Sequence, residues 1–164
     1  MSTWPRLKIV PSGATYEQRL QQAIERWEGT RYYEGMQRCR VGVDCVRFVC
    51  AIADEMAGTK TPIAKLPNDK SLHDPEGARM AFLVLMRLFG ARRIQDPGYL
   101  EPGDVIVCGP KEGGPGHAMI VGLHSLYHST SGGVQTADLQ PCGTHTEFHA
   151  ILRVRNREQR WARH

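Results

Sequence analysis

The chain has 164 residues, enough for one domain with a substantial core. Its 41% hydrophobic and 23% charged content is ordinary for a globular chain, and no apolar run approaches the length of a membrane span. The net charge of +4 owes much to Arg153, Arg155, Arg157, Arg160 and Arg163, which read as a solvated last strand and tail; no aromatic-interleaved motif accompanies them, so no nucleic-acid partner is expected.

The start, Met1-Ser2-Thr3-Trp4-Pro5-Arg6, lacks the apolar stretch of a secretory signal, so cytoplasmic synthesis without a signal peptide is expected. Residues 15–27 form the first predicted helix. Thr15 and Gln18 make a capping-box pattern, Leu20, Ala23, Ile24 and Trp27 share one face, and Gly29 is the stop. Residues 31–43 read as a loop rich in tyrosine and glycine. A second helix runs from Cys45 to about Met56, apolar on most sides, and should lie against a sheet. Residues 58–72 read as a connection. Asp74-Pro75 opens a third helix, with Ala78, Phe82, Leu85, Met86 and Phe89 at helical spacing and Gly90 at its end. Strands follow at 104–108, 117–121, 126–129, 134–137 and 148–154, separated by Gly, Pro and Ser turns. Helices first and strands afterwards imply an α+β domain with an antiparallel sheet. The expected division is one domain, 1–155, with a basic tail, 156–164.

The chemistry centres on Gly42-Val43-Asp44-Cys45. Gly42 and Asp44 are turn formers, which puts Cys45 at the mouth of the second helix, with Asp44 as a cap. Free N–H groups converge there, and their partial positive charge favours thiolate, the nucleophilic form. Gly116-His117 opens a strand whose alternation puts His117, Met119 and Val121 on one face. A base at His117 could face the helix that Cys45 begins. His128 lies on the next strand, where a hairpin can make it a neighbour of His117. It could then fix the imidazole tautomer as the third member of a triad does. His124 is a chemical rival, but it falls in the turn.

The other cysteines carry less. Cys50 and Cys108 read as core, and no C-x-x-C or disulfide framework is apparent. Cys142, His145 and His149 have zinc-like spacing, but no fourth ligand is evident and Pro141-Cys142-Gly143 reads as a turn. No metal site and no cofactor are expected.

Together these segments resemble the NlpC family of papain-like cysteine peptidases, especially its bacteriophage members. Gly29-Thr30-Arg31-Tyr32 resembles the family's Gly-Thr-Pro-Tyr segment. Gly42-Val43-Asp44-Cys45 followed by Phe48-Val49 resembles its nucleophile motif. Leu100-Glu101-Pro102-Gly103-Asp104-Val105 resembles the start of a family strand. Gly116-His117 with Ile120-Val121-Gly122 resembles the base strand, and residues 128–134 the strand with the third polar residue.

The resemblance implies a papain-like fold with the nucleophile helix packed on the sheet. It implies Cys45 as nucleophile, His117 as base, His128 as orienting residue and Tyr32 beside the thiol. It further implies cleavage of peptide amides in peptidoglycan by a phage-encoded, tail-associated enzyme, with tail proteins as partners. The family's Ser-Gly after the cysteine is replaced by Val46 and Arg47. Arg47 then either binds a substrate carboxylate or pairs with Asp44 or Glu34. The same departure leaves open a vestigial tail-assembly or tail-tip part, or a Cys-His amidase or acyltransferase on another substrate.

Overall fold

The computed structural model describes residues 8–58, 60, 92–94, 99–110, 116–137 and 146–153. The predicted helix after Asp74, nearly all of the preceding connection, the arginines beyond Arg153, Cys142, His145 and the side chain of His149 lie outside them.

Helix α1 spans Thr15–Trp27 and buries Leu20, Ala23, Ile24 and Trp27, the face its periodicity marks. Its capping differs from expectation. The N-cap is Ala14, with no side-chain cap bond, so the Thr15–Gln18 box does not form. The buried Glu17 carboxylate serves instead. It accepts the Ser12 N–H at 2.9 Å, the Gly13 N–H at 3.1 Å and the Ser12 hydroxyl at 2.7 Å. A carboxylate in the first turn also offsets the positive end of the helix dipole. Gly29, with φ 77°, follows the C-cap Glu28 in the left-handed region, as a helix stop should.

The segment expected as loop contains a small antiparallel hairpin, β1 (Gln37–Arg38) with β2 (Gly42–Val43). Helix α2, Cys45–Ala57, starts at the capping residue Asp44 and ends at Gly58 in the left-handed conformation. All residues from Cys45 to Ile52 are buried, which fits a helix apolar on most sides.

Six strands form one sheet: β3 (Arg92–Ile94), β4 (Val105–Pro110), β5 (His117–Val121), β6 (Leu126–Thr130), β7 (Gly133–Ala137) and β8 (Thr146–Arg153). Their order is β3-β8-β4-β5-β6-β7, with every neighbouring pair antiparallel. Two helices with antiparallel sheets make the described residues α+β. One face of the sheet, carrying Val105, Val107, Ala118, Ile120, Tyr127 and Val134, packs on both helices. The other face gathers Ile106, Cys108, Met119, Val121, Leu126 and Ile151 around Leu100, with Ile9 and Ile94 at the margin. No helix among the described residues is long and apolar enough to cross a membrane.

The Pro102-Gly103-Asp104 turn sets the start of β4. Gly103, at φ 95°, donates its N–H to Val121 at 2.7 Å. The buried Asp104 carboxylate accepts the Glu101 N–H at 2.8 Å and takes Arg153 of β8 in a fork, with both bonds at 2.9 Å. Arg153 therefore departs from the solvated-tail reading. Its guanidinium ties the last strand to the turn before β4, and a planar fork matches a carboxylate better than a lysine could.

Candidate active site

Asp44 organises the mouth of α2. Its Oδ1 accepts the Arg47 N–H at 2.8 Å, the capping bond expected of it. Its Oδ2 accepts the Gly35 N–H at 2.9 Å and the Arg47 guanidinium at 2.5 Å. Both side chains of this pair are buried, at 3% and 0% exposure. Of the two roles open to Arg47, the geometry supplies the ion pair with Asp44.

The turn before Asp44 is held from three sides. Val43 receives the buried Ser129 hydroxyl on its carbonyl at 2.7 Å and donates its N–H to Arg31 at 3.0 Å. Tyr33 donates to the same Val43 carbonyl at 3.3 Å. Val134 of β7 in turn donates its N–H to the Thr30 carbonyl at 2.8 Å. Gly42 is needed for close approach. A Cβ there would lie 2.6 Å from the Tyr33 Cβ and 2.9 Å from the Met36 sulfur. Gly42→Ala is expected to cost about 1–3 kcal/mol, the usual range for overpacking, as read by denaturant unfolding.

Cys45 is buried, and its sulfur lies where the backbone N–H groups of Ala118, Val46 and Cys45 itself stabilise negative charge. The thiolate expected of a helix mouth is nevertheless not the favoured form. Burial, and secondly the Asp44 charge, push the thiol up to about 12. Desolvation outweighs the three amides here.

Ala118 is the residue after His117, so the bond from its N–H brings the thiol to the start of β5. Met119 and Val121 belong to the face away from α2, while Ala118 and Ile120 pack towards it. Strand alternation therefore does not turn His117 towards the helix, contrary to the expectation.

His117 Nε2 and His128 Nδ1 are 2.9 Å apart, with the rings edge to face at 70°. The β5–β6 register pairs Ile120 with Tyr127, which makes the two histidines diagonal neighbours, as the hairpin reading anticipates. Burial first, and His128 second, hold the His117 imidazole down to about 4. Burial also lowers His128. His124 stands exposed in the β5–β6 turn. Tyr32 is half-buried. Burial, then the charges of Cys45, Glu34 and Asp44, hold its phenol above the ordinary range. Its backbone bridges Val43, two residues before Cys45.

No protein-family model matches this chain, and no curated protein matches it.

Three contributors escape sequence reading. The Ala118 N–H is invisible because any residue supplies one. The Gly35 N–H is invisible for the same reason. The Ser129 hydroxyl adjoins His128 in sequence, but its target, the Val43 carbonyl, is 86 residues away. Among the described residues no group of three or more His, Cys, Asp or Glu side chains could hold a metal ion.

Proposed function

We propose that this chain is a thiol hydrolase of the NlpC, papain-like type that cleaves peptide amides of peptidoglycan and is carried on a phage tail. The observation that carries the reading is the 2.9 Å His117–His128 contact at the residue next to Ala118, whose N–H is directed at the Cys45 sulfur. If His117 Nε2–H donates to His128, His117 Nδ1 keeps its lone pair for the thiol proton. Cys45 then attacks the amide carbonyl as His117 takes that proton. The amides at the mouth of α2 hold the oxyanion. Imidazolium protonates the leaving amine as the C–N bond breaks. Water, deprotonated by His117, hydrolyses the thioester.

The low exposure of Cys45, 4%, favours a second reading, a tail-assembly or tail-tip part whose site is vestigial. Digestion of purified sacculi separates the two. Wild type is expected to release soluble peptides with new termini, identified by mass spectrometry, and Cys45→Ala to lower that release on the order of 10⁴-fold or more. Identical product profiles from the two proteins rule out the hydrolase on this substrate.

A further inference from the structure

We propose that the β1–β2 hairpin and the segment leading into it are a docking surface for the carboxylate-rich peptide strands of the cell wall, gripped by Arg31, Arg38 and Arg40. The wall as occupant rests on the hydrolase reading above; the surface itself rests on the hairpin.

All three arginines are exposed, and no carboxylate among the described residues pairs with them. Residues 29–43 hold these three cations against one anion, Glu34, whose carboxylate is 3.5 Å from the Tyr32 hydroxyl. Asp44, the next acid along, is buried on Arg47. Residues 29–43 therefore carry a net charge of +2, three arginines against Glu34.

The backbone fixes where the cations stand. Arg38 is the cross-strand partner of Gly42, so the two share a face of the hairpin. That face is the one Tyr33 covers, since a Cβ on Gly42 would meet Tyr33. Tyr33 is 59% exposed, which sets an aromatic ring on the same side as a guanidinium. Arg40 donates its N–H to the buried Thr30 hydroxyl at 3.0 Å, and Arg31 accepts from Val43. Both are thus held in place by the segments on either side of the hairpin.

Arg40 adds an independent sign. It is the only non-glycine residue at positive φ among the described residues, at 62°. Glycine adopts that conformation more readily, so an arginine there keeps a side chain at a backbone cost. Exposed guanidinium groups bind carboxylates in two-point fashion, and several of them within one short segment suit a polymer that repeats the carboxylate.

The test is co-sedimentation of the full chain carrying Cys45→Ala with purified sacculi, so that binding is read without digestion. Adding Arg38→Gln and Arg40→Gln is expected to weaken binding about tenfold, and rising salt to erase the difference. Arg40→Gly is expected to weaken binding with no drop in melting temperature, because glycine relieves the positive φ. Sacculi whose carboxylates are amidated are expected not to bind, and duplex DNA of equal charge not to compete. The proposal is overturned if the double variant binds like its parent, if amidated sacculi bind equally well, or if DNA competes fully. Wild type that binds sacculi but releases no peptide counts against the hydrolase and supports the docking surface. Wild type that digests sacculi while the double variant binds undiminished overturns the docking surface alone.

Discussion

Asp44→Ala is expected to destabilise the protein by about 3–5 kcal/mol, the range for removing one partner of a buried ion pair. The carboxylate is fully buried and serves three donors at once: the Arg47 N–H, the Gly35 N–H and the Arg47 guanidinium. Alanine removes the helix cap, worth about 1 kcal/mol. It also takes away the anion that faces a 3%-exposed guanidinium, which is the larger loss. Against a typical stability of about 5–15 kcal/mol, that is a substantial fraction. Asp44→Asn keeps a capping oxygen and should lose less. It should also bring the Cys45 thiol down, because the Asp44 charge is one of the two causes that raise it. Denaturant unfolding measures the first effect and the pH dependence of thiol alkylation the second. A loss below about 1 kcal/mol for Asp44→Ala means that the carboxylate acts as a cap and nothing more.

The parts of this fold legible in sequence are those governed by periodicity and local turn chemistry. The buried face of α1, the start of α2 at Asp44-Cys45 and the antiparallel strands around His117 and His128 follow from apolar spacing, caps and glycine. The misses have a common cause, which is that long-range partners override local patterns. Thr15 and Gln18 look like a capping box, but Glu17 finds the N–H groups of Ser12 and Gly13 first. Arg153 looks like part of a solvated tail until Asp104, 49 residues earlier, receives it. Strand β3 carries two arginines in three residues, so no apolar alternation announces it. Around Cys45 the cap and the turn were readable and the electrostatics were not. A helix mouth suggests a thiolate, yet how deeply Cys45 is buried depends on strands 60 and more residues downstream. Their packing decides that desolvation wins.

On the hydrolase reading proposed above, that reversal sets the pH dependence. With the thiol pushed up to about 12 and His117 held down to about 4, the resting pair is neutral thiol and neutral imidazole. His117 must be neutral to take the thiol proton, so activity is lost as pH falls through its pKa. The acid limb of kcat/KM on a soluble peptide amide is therefore expected near pH 4, followed by a level region through neutrality into the alkaline range. A preformed thiolate–imidazolium pair predicts something different, an alkaline limb where the imidazolium deprotonates. A fall in kcat/KM between about pH 7 and 9 rules out the neutral-pair mechanism. His117→Ala should cost about 10²–10⁴-fold and abolish the acid limb. His128→Ala should act differently. His128 lowers His117 as well as contacting its Nε2, so its removal should move the acid limb upward towards ordinary histidine while kcat falls. An upward shift joined to a loss in kcat marks His128 as a positioning residue. A loss in kcat with the limb unmoved points to a packing role alone.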